Sequence, residues 1–589
     1  MGRMTVSSSP FADRPTETEA RDALRTNVAD RLAEVAARMP EAVAVACPGR
    51  GDVAGKNCYA TCTFAELEHD AEALARGLVQ LGVAPGMRLI LLVRPGVEFV
   101  KLVFALLRSG ATAVLIDPGM GRRHLLACLA AAEPEGFVAV SRAQALRTIL
   151  RRRFSRARLN VTVGRRWFWG GRTFRQLLRL GQRSSAPLPD TRGDDPAAII
   201  FTSGSTGPPK GVLYTHRMFD TQAAEIRRAY GIQPGGADLA CFPLFGLFNA
   251  AMGVTTVFPA MDASRPAAAD PAKLLTAARD WQVTQAFASP AVWDKLSRYC
   301  AEQGERITTL RQVFSCGAPV PADVLRRTLD CVHPEAEMHT PYGATESLPV
   351  ATISASEVLS ETAQRTDQGA GVCVGRLFDS IAWRVIRITD GPLATLDQCE
   401  VLPEGEIGEL VVRGPQVSPA YVTRTEFNAK TKIADGEAVW HRLGDVGYVD
   451  REQRFWYCGR LAHRVQTADG TLFTIPCEAV FNTHPEVRRS ALVGVGAAGN
   501  QTPILIVERT SNASSRSKHS RDSTSRKDAE QQRLAEELRQ LALQHAPTRS
   551  IGRFLFRDSL PVDVWHNAKI NREALAAEAA AAAGWGSGS

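Results

Sequence analysis

The stretch "IIFTSGSTGPPKGVLYTH", residues 199–216, follows an apolar run with a turn rich in small and hydrogen-bonding residues. Gly204 and Gly207 allow left-handed backbone angles and let backbone N–H groups come close to a ligand. Lys210 adds a positive charge, and the combination suits a polyphosphate. The hydroxyl donors of the same turn are Thr202, Ser203, Ser205 and Thr206. The stretch therefore predicts a phosphate-binding loop.

The spacing within this stretch excludes two familiar loops. A Walker A loop needs Gly-Lys-Ser/Thr at the start of a helix, whereas Pro208 and Pro209 precede Lys210 here. A Gly-x-Ser-x-Gly nucleophile elbow is excluded because Gly204 and Gly207 lie too close together. Taken alone, the stretch also fits a flexible surface loop without a ligand.

Short apolar runs alternate with helical segments from about residue 60 to 340, a pattern typical of parallel β-α units and an α/β fold. One helix is predicted at 63–82, where Thr63 and Glu66 form a capping-box pair. A second is predicted at 289–304, with Ser289 as its N-cap. The predicted buried strands are 87–93, 111–117, 197–201, 283–288 and 310–315.

The texture of the sequence changes after about residue 380, where tighter turns predict antiparallel strands. A domain boundary is predicted between residues 459 and 460, which divides the chain into 1–459 and 460–589. Serine and charged residues dominate 509–530, so this segment is predicted to be a disordered insertion in the smaller domain.

Cysteine usage and hydropathy indicate the cellular compartment of the protein. The twelve cysteines are scattered singly without a CxxC pair, which gives no support to zinc ligation or thioredoxin chemistry. The first residues contain no apolar core of signal-peptide length, and charges interrupt the most apolar region, 87–107, short of a membrane span. These observations predict a cytoplasmic protein.

Positive charge is concentrated in one segment. The net charge is +8, yet residues 142–183 contain thirteen arginines and no acidic residue, so the rest of the chain carries 8 − 13 = −5. Trp167, Phe168 and Trp169 lie within this segment. It fits a solvated basic face that steers anionic substrates, or a surface that docks on anionic lipid or an acidic partner. We expect no nucleic-acid partner, and peripheral contact with the inner membrane face is a prediction.

The segment "FTSGSTGPPKGV" resembles the phosphate loop of the adenylate-forming superfamily, which includes acyl-CoA synthetases, peptide-synthetase adenylation domains and luciferases. Further motifs of that superfamily follow in the expected order from about residue 60 to 575. The resemblance implies a large N-terminal AMP-binding domain with parallel α/β sheets and a distorted β-barrel. It also implies a small, mobile α+β C-terminal lid, with ATP and Mg²⁺ as cofactors.

The same resemblance implies roles for particular residues. In "FSCGAPVP", Gly317, Ala318 and Pro319 correspond to the segment along the adenine. In "MHTPYGATES", the corresponding motif residues are Tyr342, expected to stack on adenine, Gly343, Ala344, Thr345 at the α-phosphate and Glu346 as the Mg²⁺ ligand. Asp445 in "HRLGDVGYVD" is expected to bind the ribose hydroxyls, and Arg460 in "YCGRLAHRV" to lie near ribose or phosphate. Tyr421 belongs to a motif that is mostly structural in the family.

The C-terminal motifs match the family less closely. Lys569 in "DVWHNAKINREAL" stands where the family keeps its adenylation lysine, and with Lys210 it is expected to offset charge on the phosphates. The hinge position, usually Asp or Lys, is Ala462 here. Gln466 stands where a lysine is common. Ala462 and Gln466 fit an enzyme that does not maintain a channel for CoA.

Details outside the core motifs resemble one branch, the OleC-type β-lactone synthetases of bacterial olefin biosynthesis. The resemblance implies activation of a long-chain 2-alkyl-3-hydroxy fatty acid as its adenylate, followed by attack of its own β-hydroxyl to give a β-lactone, AMP and pyrophosphate. It also implies a thiolase-like condensing enzyme, a reductase and a β-lactone decarboxylase as pathway partners. The expected acyl-pocket residues are Phe245, Gly246, Phe248 and Met252, with Gly246 opening or reshaping the acyl tunnel.

Two alternatives stay open at this stage. A long-chain acyl-CoA or acyl-carrier-protein ligase would share the first step and differ only in the nucleophile that attacks the adenylate. A non-catalytic adenylate-binding scaffold would use the arginine-rich segment instead, although the presence of Lys210, Glu346, Asp445 and Lys569 argues against it.

Overall fold

The computed structural model describes residues 26–53, 56–117, 120–202, 209–244, 246–510, 523–562 and 570–582. The α-helices are α1 (Asp30–Arg38), α2 (Phe64–Gln80), α3 (Val97–Arg108), α4 (Arg122–Ala131), α5 (Ser141–Ile149), α6 (Phe174–Gln182), α7 (His216–Ala229), α8 (Gly246–Met252), α9 (Pro271–Asp280), α10 (Pro290–Gln303), α11 (Ala322–Asp330), α12 (Ala355–Glu357), α13 (Ala363–Asp367), α14 (Asn428–Thr431), α15 (Thr474–Asn482), α16 (Ser523–Gln544) and α17 (Arg572–Ala582).

The strands are β1 (Val43–Val53), β2 (Lys56–Thr63), β3 (Arg88–Leu92), β4 (Thr112–Leu115), β5 (Gly136–Val140), β6 (Leu159–Val163), β7 (Arg172–Thr173), β8 (Pro196–Phe201), β9 (Gly211–Thr215), β10 (Ala237–Ala240), β11 (Thr255–Val257), β12 (Gln285–Phe287), β13 (Gln312–Phe314), β14 (Glu337–His339), β15 (Tyr342–Ala344), β16 (Ser347–Thr352), β17 (Val372–Leu377), β18 (Ala382–Ile386), β19 (Gly408–Arg413), β20 (Lys432–Asp435), β21 (Ala438–Val449), β22 (Phe455–Arg460), β23 (Val465–Thr467), β24 (Gly470–Leu472), β25 (Val487–Val495), β26 (Thr502–Arg509) and β27 (Arg553–Arg557).

Two seven-stranded sheets form the framework of the N-terminal region. Sheet I has the order β7-β6-β5-β3-β4-β8-β9, and sheet II the order β14-β13-β12-β10-β11-β1-β2. Each is parallel except at one edge, where β9 pairs antiparallel with β8 and β2 with β1. The five strands predicted as buried are β3, β4, β8, β12 and β13, so the predicted parallel β-α arrangement is confirmed.

Sheet I is covered by helices on both faces, and successive strand residues alternate between the two cores. Leu91 and Leu115 belong to the core that includes α3, whereas Phe137 and Phe201 belong to the core that includes Leu129 of α4. Burial on both faces explains why these strands are continuous apolar runs rather than alternating ones.

The helix predicted at 63–82 is α2, and its capping box is present. The amide of Thr63 donates to the Glu66 carboxylate (2.9 Å), and the amide of Glu66 donates to the Thr63 hydroxyl (3.2 Å). The helix predicted at 289–304 is α10. Ser289 occupies its N-cap position, but its side chain accepts no capping hydrogen bond there, so the predicted capping role is wrong.

The antiparallel region after residue 340 is sheet III, with the order β15-β16-β17-β22-β21-β19-β18 and β20 paired to β21. The antiparallel strands predicted after about residue 380 include β18, β19 and the β21–β22 hairpin. The distorted β-barrel expected here is wrong: among the described strands, the edge strands β15 and β18 are not paired to each other, so the sheet is open. An open sheet leaves one of its edges, β15, beside the cleft described below.

A three-stranded sheet, β25-β26-β27, with α15, α16 and α17 forms the C-terminal unit. The predicted insertion at 509–530 is wrong at both ends, because Arg509 ends β26 and α16 begins at Ser523. Residues 511–522 lie outside the described part. The boundary between 459 and 460 and the mobility of the lid stay predictions. No helix among the described residues is long and apolar enough to cross a membrane.

Candidate active site

A single cleft of about 2300 Å³ opens at the carboxyl ends of the strands of sheets I and II. In open α/β sheets, ligands bind at this edge because the strands point their ends and loops toward it. The lining continues to sheet III through Asp445 and to the C-terminal unit through Arg572. Pockets for drug-sized ligands usually have volumes of about 300–1,000 Å³, so this cleft has room for more than a nucleotide.

The phosphate-loop stretch connects the antiparallel strands β8 and β9. The amide of Lys210 donates to the Thr202 hydroxyl (3.1 Å), and the amide of Thr202 donates to the Lys210 carbonyl (3.0 Å). The lysine therefore precedes a strand rather than a helix, as expected from the exclusion of a Walker A loop. The remaining predicted loop residues, Ser203, Gly204, Ser205, Thr206 and Gly207, lie outside the described part.

Lys210 is largely enclosed by aromatic rings. Its ammonium nitrogen lies 4.7 Å from the centre of the Tyr421 ring and 4.8 Å from that of Phe427. Burial lowers the pKa of Lys210, and the charge of Glu346 partly opposes this effect. Cation–π contact stabilises the ammonium at this partly buried position. The carboxylate of Glu346, predicted to hold Mg²⁺, is near enough to influence the charge of Lys210.

Glu346 is held by groups that the sequence analysis did not assign to the site. The Tyr421 hydroxyl donates to its carboxylate at 2.5 Å. Its carbonyl accepts from the amide of Ser418 at 2.8 Å, and the carbonyl of Ser418 accepts from the Lys432 ammonium at 2.5 Å. Burial lowers the pKa of Lys432 to about 7. Tyr421, predicted to be mostly structural, thus orients a site residue, whereas no sequence signal pointed to Lys432.

Thr345 precedes Glu346 and is anchored through its backbone. Its carbonyl accepts from the Tyr214 hydroxyl at 2.7 Å. Tyr214 lies on β9, in the same strand that follows Lys210. The predicted α-phosphate residue and the loop lysine are therefore tied to one element.

Asp445 and Arg460 are cross-strand neighbours on β21 and β22. Their charged groups are 3.0 Å apart, and Asp445 is buried. The Tyr342 hydroxyl donates to the other Asp445 oxygen at 2.5 Å. The charge of Asp445 raises the pKa of Arg460, and burial followed by the same carboxylate raises the pKa of Tyr342. Three residues predicted from separate motifs thus form one group in the cleft wall, joined by an ion pair between Arg460 and Asp445 and by a hydrogen bond from Tyr342 to Asp445.

The predicted adenine segment also lines the cleft. Gly317, Ala318 and Pro319 face it, and Gly317 has φ of 94°, a left-handed angle that favours glycine. Gly343 and Ala344 on β15 line the opposite side. A Cβ on Gly343 would lie 2.7 Å from the Ser347 carbonyl oxygen, so only glycine fits this turn.

The predicted acyl-pocket residues fall in different places. Phe248 lines the cleft, whereas Phe245 lies outside the described part. Gly246 is buried at the start of α8, where a Cβ would lie 2.9 Å from the Thr256 Cγ2 atom. Met252 packs in a separate core beside a cavity of about 50 Å³. The missing side chain of Gly246 permits close packing of α8 on sheet II, and its expected effect on the acyl tunnel stays a prediction.

Lys569 lies outside the described part, but the chain that follows it reaches the cleft. Ile570 and Arg572 both contribute to the cleft lining. The Arg572 guanidinium donates two hydrogen bonds to the buried Glu478 carboxylate, at 2.6 and 2.9 Å. This pair joins α17 to α15 and positions the C-terminal segment against the cleft.

Residues 32–422 match the AMP-binding enzyme family, and the chain belongs to that family. It is an AMP-forming ligase of the adenylate-forming superfamily. It is 45% identical over 562 residues to the olefin beta-lactone synthetase of Stenotrophomonas maltophilia, covering 94% of this chain and 98% of that protein. It is 44% identical over 560 residues to the olefin beta-lactone synthetase of Xanthomonas campestris, covering 94% and 97%.

Solved structures share the fold at lower identity. The amide bond synthetase of Marinactinospora thermotolerans superposes with a TM-score of 0.72 at 22% identity, covering 94% of this chain and 99% of that one. The o-succinylbenzoate coenzyme A synthetase of Bacillus subtilis, solved with ATP and magnesium, superposes with a TM-score of 0.67 at 20% identity, covering 92% and 98%. These likenesses confirm the predicted adenylate-forming fold.

Proposed function

We propose that the protein activates a 2-alkyl-3-hydroxy fatty acid as its acyl-adenylate and then closes a β-lactone by attack of the substrate's own 3-hydroxyl. One observation carries the proposal: the charged end of the cleft, with Lys210 and Glu346, is continuous with a large apolar extension. The similarity to olefin β-lactone synthetases supports the same substrate class. A cleft of this composition can hold a long alkyl acid with its carboxylate beside ATP.

In the first step, a carboxylate oxygen of the substrate attacks the α-phosphorus of ATP, and the bond to the leaving pyrophosphate breaks. Lys210 offsets the growing negative charge from within a site poor in water, where such interactions are strongest. Lys569 is proposed to do the same from the C-terminal segment. Asp445 accepts hydrogen bonds from the ribose diol, and Arg460 holds that carboxylate in place.

Glu346 is the proposed ligand of Mg²⁺. A magnesium ion in a nucleotide site commonly uses one or two carboxylates together with substrate phosphates, and Glu346 is a carboxylate with one oxygen already oriented by Tyr421. The Glu346 carboxylate, held by Tyr421, therefore fits a magnesium ion. When bound, it would neutralise phosphate charge and align the phosphate oxygens.

In the second step, the 3-hydroxyl oxygen attacks the acyl carbon, AMP leaves and the hydroxyl proton is lost. The nucleophile is already part of the bound molecule, so the attack gains from being held in place. No thiol has to enter. Ala462, exposed in the short helix Leu461–His463 and lining the cleft, lies where relatives carry a charged hinge residue.

The decisive experiment incubates purified protein with ATP, Mg²⁺ and a 2-alkyl-3-hydroxy acid, with and without CoA. We expect pyrophosphate release and a β-lactone without CoA. A strict CoA requirement with a thioester product would overturn the proposal in favour of an acyl-CoA ligase. Adding a β-lactone decarboxylase should convert the product into an olefin, as expected if that enzyme is a pathway partner.

We also propose that residues 142–183 contact an anionic membrane surface. Twelve of the thirteen arginines in this segment are exposed. Of the six exposed large hydrophobic side chains among the described residues, four lie here: Leu146 (40% exposed), Ile149 (78%), Trp167 (64%) and Phe168 (82%). Trp169, the third predicted aromatic, is buried and donates to the Thr162 hydroxyl (3.0 Å). Exposed aromatic residues among arginines suit the interface of an anionic bilayer.

Sedimentation with phosphatidylglycerol vesicles tests this contact. We expect binding at low salt, less binding at high salt and little binding to phosphatidylcholine vesicles, because surface charges are screened by salt. The double variant Trp167→Ala/Phe168→Ala should bind less, whereas Leu543→Ala, an exposed leucine of the C-terminal unit, should not change binding. No binding at low salt would refute the proposal.

A further inference from the structure

The apolar part of the cleft extends along both faces of sheet I. Lobe A lies on the face of α3 and α8, and its lining is Phe99, Val103, Phe104, Leu107, Leu247 and Phe258. Lobe B lies on the face of α4 and α5, and its lining is Leu125, Leu129, Phe137, Ala143, Leu146 and Phe154. The sheet itself separates these two groups of side chains.

The lobes meet at the carboxyl ends of the strands. Ile200 and Phe201 are consecutive residues at the end of β8, and they pack into opposite cores. Both line the cleft, as do Leu91 and Leu92 at the end of β3. Because neighbouring strand residues point to opposite faces, a cleft lined by both must pass around the strand ends. Thr202, which pairs with Lys210, follows directly, so the lobes diverge beside the phosphate-binding end.

The two lobes end differently. The inner side chains of both lobes are buried: those of lobe A on α3, together with Phe258, are at most 6% exposed, and Leu129, Phe137 and Phe154 of lobe B are at most 5% exposed. Lobe B reaches α5, where Leu146 is exposed to solvent and Arg142 and Arg147 also line the cleft. The lining of lobe B therefore includes an exposed side chain at the protein surface, whereas the lobe A residues named above include none.

We infer that the two lobes hold the two alkyl arms of the substrate, one arm in each. The inference rests on the proposed function, which supplies an acid with alkyl chains on the adjacent carbons C2 and C3. Chains on neighbouring tetrahedral carbons diverge, and both carbons must lie close to the α-phosphate for adenylation and ring closure. A site with one apolar path would force one arm into the charged end or into water. The arm in lobe A is limited in length, and the arm in lobe B is tolerated at many lengths.

The test measures pyrophosphate release with a set of 2-alkyl-3-hydroxy acids in which each arm is lengthened separately. For the parent enzyme, we expect kcat/KM to fall by about 10-fold or more past a limiting length of one arm, because a filled apolar pocket rejects extra methylenes. Lengthening the other arm should change kcat/KM little. Equal tolerance or equal rejection of both arms would overturn the inference, and this part of the test needs no variant.

Two narrowing variants then assign the arms. Leu247→Trp narrows lobe A and should lower kcat/KM by about 10-fold or more for acids in which the length-limited arm is long. Leu125→Trp narrows lobe B and should lower kcat/KM by about the same factor for acids in which the other arm is long. Leu543→Trp adds the same side chain on the exposed surface and should change neither. Leu247→Phe and Leu125→Phe serve as milder versions if a tryptophan variant does not fold. Variants that affect both arms alike would contradict the two-lobe arrangement.

The readout separates this inference from the proposed reaction. Pyrophosphate release reports adenylation only, so arm selectivity without lactone would support the two lobes and refute the lactone step. Lactone formation without arm selectivity would support the reaction and refute the two lobes.

Discussion

The nucleotide end of the cleft and its apolar lobes are built in different ways. At the nucleotide end, directional pairs such as Asp445–Arg460 and Tyr421–Glu346 hold each group at a defined position. In the lobes, side chains alternate between two cores and are interchangeable in chemistry. If the proposed function holds, the reaction depends on a few charged groups held in fixed positions, whereas the choice of substrate depends on the shape of the lobes. Variants at the first end should therefore affect every substrate equally, and variants at the second should discriminate among substrates.

The largest effect is expected for Lys210→Met. Loss of the cation between the Tyr421 and Phe427 rings removes charge stabilisation at the phosphates, and adenylation should slow by about 10²–10³-fold. Pyrophosphate release measures the rate of adenylation, and this rate should fall for substrates of every chain length. Lys430→Met, also at the cleft and 5.9 Å from the Phe427 ring centre, is the matched control and should retain nearly full activity. Near-normal turnover of Lys210→Met would contradict the assignment.

Asp445→Asn should raise the KM for ATP by about 10- to 100-fold, because hydrogen bonds to a charged group contribute about 1.5–3 kcal/mol. The parent enzyme should bind 3′-deoxy-ATP less well than ATP, whereas the variant should distinguish the two poorly. If the variant still discriminates fully, Asp445 does not bind the ribose.

Tyr421→Phe should lower adenylation by about 10-fold, since the Glu346 carboxylate loses a hydrogen bond that orients it. The Mg²⁺ concentration for half-maximal rate should rise as well. An unchanged Mg²⁺ dependence would show that Tyr421 acts only through packing.

Gly246→Ala tests the wall behind lobe A. The added Cβ meets Thr256 and Ala240, so overpacking should lower stability by about 1–3 kcal/mol. Thermal unfolding measures this loss. The preferred chain length should stay the same, and a shift to shorter acids would instead place Gly246 at the tunnel.

The smallest effect is expected for Asp238→Asn, and it concerns only the stability of the fold. Burial raises the pKa of Asp238 to about 7 from an ordinary value of 3.8, although Asn249 donates to it at 2.8 Å. The folded chain thus binds the proton more tightly, so the parent protein loses stability as the pH rises from about 4 to 7. Asp238→Asn should melt a few degrees above the parent at pH 8, and the two should coincide near pH 4. A constant difference across this range would exclude titration of Asp238 as the cause.

Much of this molecule could be predicted from local sequence. The capping box at Thr63 and Glu66 and the five buried strands depend on near neighbours and on apolar runs, and they were predicted correctly. Ser289 failed as a cap because a suitable residue at the right position does not ensure the hydrogen bond. Residues 523–530 were misjudged because they begin α16, which packs through Leu534 and Leu538 onto the C-terminal core.

The sequence by itself determined the class of chemistry, because the residues predicted to contact phosphate, ribose and metal need particular functional groups and occur in recognisable order. Only the tertiary structure decided which side chains orient them. Tyr421 and Glu346 are 75 residues apart in sequence and joined by one hydrogen bond. It also decided the shape of the apolar cleft, since the two faces of a buried strand have the same composition and only packing separates them into lobes.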